Sequence, residues 1–139
     1  MVADQRVRSK PRVTTARRFS KPVITALERA KILGVRSGRE HRFTGVWVVV
    51  VTGRVFVRSW TDKPTGWYRA FVAEPLGTIQ APGEREIPVR AKRVRGDRLL
   101  DAIDEAYGEK YDTPASKKWV RGFRQPRRRA TTIEFVPRS

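Results

Sequence analysis

The stretch that most constrains the fold is an unbroken apolar run, Val46-Trp47-Val48-Val49-Val50-Val51, followed by Thr52-Gly53 and a second run, Val55-Phe56-Val57. Valine loses side-chain freedom in a helix and packs well on a pleated surface, so both runs read as strands. A valine run without polar alternation predicts burial on both faces of its strand. Thr52-Gly53 between the runs, with glycine second and free to take positive φ, predicts a tight hairpin.

The rest of the chain supplies elements to surround that hairpin. Ser20 stands where a cap belongs, Pro22 suits a first helical turn, and Val23, Ala26, Leu27 and Ala30 recur at helical spacing. This predicts a helix over 21–30. Residues 32–35 read as a short strand, 43–51 as the valine strand, and 54–59 as its partner. In that partner Arg54, Phe56 and Arg58 alternate with Val55, Val57 and Ser59. Pro64-Thr65-Gly66 breaks the chain. Trp67, Ala70 and Phe71 then predict a short helix stopped by Pro75, with Trp67 mostly buried. Strands are expected over 77–81 and 85–95, joined at Pro82-Gly83, with Ile87, Val89 and Ala91 on one face. Residues 97–109 form the clearest helix. Leu99, Leu100, Ile103, Ala106 and Tyr107 make its apolar stripe, Asp101, Asp104 and Glu105 its wet side, and Asp97 its cap. Residues 113–126 read as irregular, anchored by Trp119, Val120 and Phe123. A last strand spans 130–136, ended by Pro137. Strands close in sequence and joined by hairpins suggest a mainly β, β-rich α+β fold, an antiparallel barrel or a strongly curled sheet.

A chain of 139 residues fits one domain. Residues 1–18 are polar, basic and without periodicity, and read as a flexible arm ahead of a single domain over 19–139. The absence of cysteine excludes disulfides, thiolate catalysis and cysteine-ligated metal, and a single histidine, His41, excludes a multi-histidine metal site. No apolar run approaches the roughly 20 residues of a membrane-spanning helix. Thr15-Ala16-Arg17-Arg18-Phe19 glances at a twin-arginine export signal, but the charges that follow leave no apolar region behind it. The expectation is a cytoplasmic protein. The net charge of +17 is uneven: +9 over residues 1–43, +1 over 44–116 and +7 over 117–139. Basic ends around a neutral middle raise nucleic acid as a partner.

The candidate site residues cluster near the hairpin. In the loop 36–42, Arg36, Arg39 and Arg42 surround Ser37 and Gly38, offering guanidinium forks, a hydroxyl and an unhindered backbone N–H to a phosphate. The plainer reading is a solvated basic turn. Ser59, Trp60 and Lys63 follow a strand end, where a barrel rim would put them against a phosphate or a ring. Trp67 and Tyr68 offer faces for a planar ring, although aromatics at helical spacing more often belong to a core. His41 has no identifiable carboxylate partner. The run Arg124-Gln125-Pro126-Arg127-Arg128-Arg129 reads either as phosphate-binding or as a solvated charge run.

These motifs resemble a known group. Arg36-Ser37-Gly38-Arg39, the strand to Trp47, the pair Trp67-Tyr68, and Arg85-Glu86-Ile87-Pro88-Val89-Arg90-Ala91 are similar to those of the deazaflavin-dependent nitroreductase and pyridoxamine-phosphate-oxidase-like proteins. From about residue 21 to 138 the chain resembles still more closely an uncharacterised bacterial family of unknown function related to that group. The residues carrying this are Arg54 to Trp60, Trp67 to Phe71, and Tyr111 to Trp119. The resemblance implies an FMN-binding split β-barrel, commonly a homodimer, with FMN or a deazaflavin as cofactor and oxidoreductase chemistry. By position it implies cofactor binding by Arg36, Ser37, Gly38, Arg39 and Arg42 at the phosphate, with Ser59, Trp60, Lys63 and Trp67 near the ring or chain. The alternatives are a nucleic-acid- or polyanion-binding protein on the same fold, acting through the basic termini, and a barrel that has lost its cofactor.

Overall fold

A computed structural model describes residues 18–83 and 85–138. Along the chain it forms α1 (Lys21–Arg29), β1 (Ile32–Ser37), β2 (Thr44–Val51), β3 (Arg54–Val57), α2 (Trp67–Ala73), β4 (Leu76–Ala81), β5 (Arg85–Arg93), α3 (Asp97–Lys110), α4 (Lys117–Phe123), α5 (Pro126–Arg129) and β6 (Ile133–Pro137). The strands close into a barrel in the order β1-β2-β3-β6-β5-β4, every pairing antiparallel. The fold is mainly β with packed helices, as hairpin-linked strands imply. Of the basic arm expected over residues 1–18, all but Arg18 lies outside the described residues.

The valine hairpin sits at the centre of the packing. Val51 pairs with Arg54, so Thr52 and Gly53 alone make the turn, both at positive φ of 49° and 77°. Glycine takes that conformation freely; a β-branched threonine does so only under constraint. Val46, Val48, Val55 and Val57 face a core inside the barrel, shared with Leu33, Val35, Ile79, Val89 and Phe135. Val49 and Phe56 face outward into a second core made with Leu100, Ile103 and Tyr107 of α3 and Val120 and Phe123 of α4. Both faces of β2 are therefore covered, as its unbroken valines require.

α3 is also pinned to β2 through polar groups. The Tyr107 hydroxyl donates to the Trp47 carbonyl at 2.9 Å, and Val48 N–H donates to the Tyr111 hydroxyl at 3.0 Å. Lys110 Nζ donates to the carbonyls of Leu27 (2.9 Å) and Val48 (2.8 Å), tying α1 to the same edge. Burial, with the nearby charge of Lys31 adding to it, pushes the Lys110 ammonium down to about 8.

Several local expectations need correction. β1 runs on to Ser37, and β3 ends at Val57 because β6 pairs only from Val55 to Val57. Gly96, not Asp97, occupies the cap of α3, and Asp97 is its first helical residue. Residues 113–126 are not irregular: α4 and the start of α5 lie there. Trp67 is half-buried, whereas its neighbour Tyr68 is buried. Asp104 does not face water; it is 7% exposed on the packed face of α3.

Candidate functional site: two pockets joined at Trp67

The first pocket, about 170 Å³, lies between the end of β1 and the start of α2. Arg36, His41, Arg42, Thr65 and Trp67 line it together with Ser37. Arg36 stacks its guanidinium 4.5 Å above the Phe43 ring and, among the described residues, makes a 3.6 Å contact with Glu86. Its Nε is buried and has no hydrogen-bond partner among the described residues. The Ser-Gly pair is otherwise engaged. Ser37 Oγ lies 3.0 Å from the Ala70 carbonyl and 2.7 Å from that of Glu74, holding the end of α2. Gly38, at φ 61°, donates its N–H to the Leu76 carbonyl at 2.8 Å. The donors left for an anion are thus the arginines, His41 and Thr65, rather than the serine and glycine. Arg39 is exposed and lines neither pocket.

The second pocket, about 330 Å³, is lined by all four tryptophans of the chain, Trp47, Trp60, Trp67 and Trp119, with Phe123 and Arg58. That volume is at the small end of the roughly 300–1,000 Å³ of small-molecule sites. Trp60 is held firmly here. Arg128 lies 3.5 Å from its ring centroid and donates from Nε to its carbonyl at 2.9 Å. Trp119 meets it edge-on at 4.9 Å. Gly122 makes the approach possible, since a Cβ there would fall 2.2 Å from Trp60 Cη2. The segment that read as irregular chain thus supplies Trp119 and Phe123 to the wall of this cavity, and Arg128 of the basic run braces Trp60. Ser59 and Lys63 line neither pocket. Ser59 N–H donates to Thr131 Oγ1 at 2.9 Å, and Lys63 is exposed.

Arg58 was not among the expected site residues, and it is the largest fully buried side chain. Its Nη1 donates to Asp104 Oδ1 at 2.6 Å and to the Phe123 carbonyl at 3.0 Å, and its Nε donates to Thr132 Oγ1 at 2.8 Å. Asp104 accepts a second hydrogen bond from Arg129, which also reaches Asp101 at 3.1 Å. A charge this deep requires such a partner set, because desolvation alone would cost several kcal/mol. Nη2 remains without a hydrogen-bond partner among the described residues. The sequence did carry a signal. Leu100, Ile103, Asp104 and Tyr107 stand at i, i+3, i+4 and i+7, so Asp104 shares the apolar face of α3. A lone carboxylate on such a face calls for a buried cation, and Arg58, two residues on, continues the outward, covered face of Phe56.

The geometry can be compared with known proteins. A family model described as "Uncharacterized protein conserved in bacteria (DUF2255)" matches residues 23–135. The chain belongs to this family. Among solved structures, it is similar to a putative pyridoxamine 5′-phosphate oxidase from Listeria innocua, at TM-score 0.58 and 14% identity over 85% of this chain and 92% of that one. It is similar to a FAD-binding protein from Mesorhizobium loti, at TM-score 0.51 and 12% identity over 89% and 92%. An F420 reductase is similar too, at TM-score 0.52 and 15% identity over 87% and 97%. These likenesses establish the pyridoxamine-phosphate-oxidase-like split-barrel fold for this family member. No protein of curated function matches the chain by sequence.

The arrangement pairs a small cationic pocket with an aromatic slot, and a single residue, Trp67, belongs to both. Each pocket has a lining arginine with one buried nitrogen that has no hydrogen-bond partner among the described residues. This donor set fits a ligand that combines an anionic group with a planar ring bearing acceptor atoms. Among the described residues no group of three or more histidine or acidic side chains is placed to hold a metal, and no helix is long and apolar enough to cross a membrane.

Proposed function

We propose that this chain is a split-barrel oxidoreductase that binds a flavin-type cofactor, FMN or a deazaflavin, across the two pockets. The observation that carries the reading is their junction at Trp67, which gives one ligand a phosphate end and a ring end. Arg36 and Arg42 would neutralise the phosphate, with His41 and Thr65 as further donors, because phosphate oxygens take several charge-assisted hydrogen bonds at once. Trp60, Trp67 and Trp119 would cover the ring and exclude water from it. When bound, such a ring supplies the electron-transfer chemistry itself, so a protein acid–base dyad is not required. The FAD-binding protein, the F420 reductase and the putative oxidase with the same fold support this reading. Of the expected site residues, Arg36, Ser37, Arg42, Trp60 and Trp67 line the pockets, with Ser37 acting through the corner it holds. Two exposed apolar side chains, Ile32 (54%) and Trp119 (43%), lie beside the ring pocket, Ile32 on the strand residue paired with Trp47. They support a homodimer in which a second copy completes the slot. Titration of the purified protein with FMN tests the reading: binding with quenched flavin fluorescence is expected, and an unperturbed flavin spectrum at high protein concentration refutes it. Sedimentation as a monomer would remove the dimer.

One observation favours a second reading. Trp119 stands on α4 with Lys117, Lys118 and Arg121 around an open groove, the interleaving of aromatic and basic side chains that suits single-stranded nucleic acid. Salt-dependent retardation of an oligonucleotide, lost in a Lys117→Ala/Lys118→Ala/Arg121→Ala variant, would support it. No retardation at ~100 mM salt would dismiss it.

A further inference from the structure

The start of β2 leaves a backbone edge open beside the tryptophan cavity. Val51 and Arg54 flank a two-residue turn with both φ positive, so they exchange both of their backbone hydrogen bonds. Alternation along the strand then turns the N–H and C=O of Val49, Trp47 and Gly45 toward β3, and those of Val50, Val48 and Val46 the other way. Val48 obeys this parity. Its N–H donates to the Tyr111 hydroxyl and its C=O accepts from Lys110, and the same hydroxyl reaches the Lys31 carbonyl just ahead of β1. β3, however, pairs only as far as Val57, opposite Val48. Beyond it the Trp47 carbonyl still accepts from the Tyr107 hydroxyl. The Gly45 N–H and C=O have no partner among the described residues, because Gly45 faces Gly34 of β1 at a position where the two exchange no hydrogen bonds. Gly45 is exposed to solvent and lines the cavity, and having no side chain it can present only main-chain atoms there. A Cβ at this position would fall 2.9 Å from Ile32 Cγ2. The strand beside it is firmly held: Trp47 stacks on Tyr111 with centroids 4.1 Å apart and meets Phe123 edge-on at 6.1 Å.

From this geometry we infer that the Gly45 main chain is the ring-recognition edge of the cavity. Its N–H donates to a ring carbonyl, and its C=O accepts from the ring N–H beside that carbonyl. This is the exchange that a neighbouring strand would otherwise make. The ligand class is a planar heterocycle with an acceptor and a donor side by side on one edge, of the lactam or imide type. The inference rests on the flavin-type reading above, and flavin and deazaflavin rings both carry such an edge. Trp60 and Trp67, in the lining of the same cavity, supply faces for the ring. Thr44, the preceding residue, lines the cationic pocket, so the edge lies on the strand that joins the two pockets. In the open cavity both groups of Gly45 are hydrated. A ring that displaces this water must replace both hydrogen bonds, because a desolvated donor or acceptor left unmatched costs more than a made bond returns. The edge therefore selects among planar rings of equal size by the pattern of their polar atoms.

The test uses the full chain with two probes, FMN and FMN methylated at its imide nitrogen. Methylation removes the ring donor and sets a methyl group against the strand, while the phosphate end stays the same. The wild type is expected to bind FMN at least about tenfold more tightly than the methylated ring, as the loss of two neutral hydrogen bonds provides. Two variants isolate the Gly45 N–H, and both carry Ile32→Ala to make room for a Cβ. Ile32→Ala/Gly45→Ala keeps the N–H, whereas Ile32→Ala/Gly45→Pro removes it. Proline is tolerated where a strand turns its N–H to an open edge, so the ladder with β1 keeps its bonds. The proline variant should bind FMN about fivefold more weakly than the alanine variant, as for one hydrogen bond. If the proline variant does not fold, the two probes on the wild type decide alone. Equal affinity of the wild type for FMN and the methylated ring, or of the two folded variants for FMN, would overturn the role of Gly45 and leave the cofactor reading standing. Failure of the wild type to bind FMN would overturn both.

Discussion

Arg36 and Arg58 occupy the same structural situation with opposite solutions. Each arginine belongs to the lining of one of two neighbouring pockets, and among the described residues each has one buried side-chain nitrogen without a hydrogen-bond partner. Arg36 is held loosely, by a ring face and a 3.6 Å contact with the half-exposed Glu86. Arg58 is clamped by a 2.6 Å carboxylate, a carbonyl and a hydroxyl, with no exposure to water. The difference teaches what each can do. A loosely tied, partly hydrated cation can turn toward an incoming phosphate and exchange one partner for another. A clamped cation out of reach of water instead braces the structure behind the slot, tying β3 to Asp104 of α3 and to the end of α4.

The largest break between them is expected in stability. Arg58→Met should destabilise the fold by about 3 kcal/mol, the low end for breaking a buried pair, because Arg129 still attends Asp104. Adding Asp104→Leu should recover most of that loss, since an ion pair replaced by apolar groups is often neutral. Arg36→Met should stay within about 1 kcal/mol, as for an exposed pair. Urea unfolding of the variants measures the contrast; equal losses would erase the distinction.

A smaller effect tests the wall that Arg58 helps to support. Gly122→Ala should destabilise by about 1–3 kcal/mol, the range for forcing an extra methyl into packed structure, and should displace Trp60. The displacement is read from the tryptophan emission spectrum. An unchanged spectrum and stability would mean that Trp60 does not rest on that glycine.

How legible was this arrangement beforehand? The valine hairpin, Ser20-Lys21-Pro22 and the stripe of α3 were readable because local periodicity and burial agree there. The Trp-lined cavity was not readable, because it assembles Trp47, Trp60, Trp67 and Trp119 from four separate segments. Residues 113–126 misled because short helices such as α4 are stabilised by tertiary contacts, here Val120 and Phe123 on the second core, more than by propensity. Asp104 misled because a carboxylate on a helix is usually solvated; only its spacing with Leu100, Ile103 and Tyr107 argued otherwise. The Arg36-Ser37-Gly38 stretch ends up beside the first pocket, but its serine hydroxyl is engaged with α2 and its glycine N–H with Leu76, pairings that no local pattern announces.

The smallest expected effect is a pH response outside the two pockets. Lys110, lowered to about 8 by burial and by Lys31, releases its proton in the folded state before the unfolded chain does, near its ordinary 10.5. Between those pH values the unfolded state binds more protons, so this group makes stability rise with pH. Tyr111, pushed up to about 12 by burial, and Tyr107, also raised by burial, keep their protons when unfolded phenols lose theirs above about 10. Their contribution is lost as pH climbs beyond that point. The melting temperature should therefore gain a shallow rise above about pH 8 and then fall above about pH 10. Lys110→Met should abolish the rise and keep the fall.

The central claim, one ligand spanning a cationic pocket and an aromatic slot, is tested most directly by comparing FMN with riboflavin, which lacks the phosphate. The account predicts that the wild-type protein binds FMN at least about tenfold more tightly, a difference of about 1.4 kcal/mol. It also predicts that Arg36→Ala/Arg42→Ala brings FMN down to the affinity of riboflavin while leaving riboflavin unchanged. Equal affinities for the two ligands in the wild type, or an FMN affinity untouched by the double substitution, would contradict it.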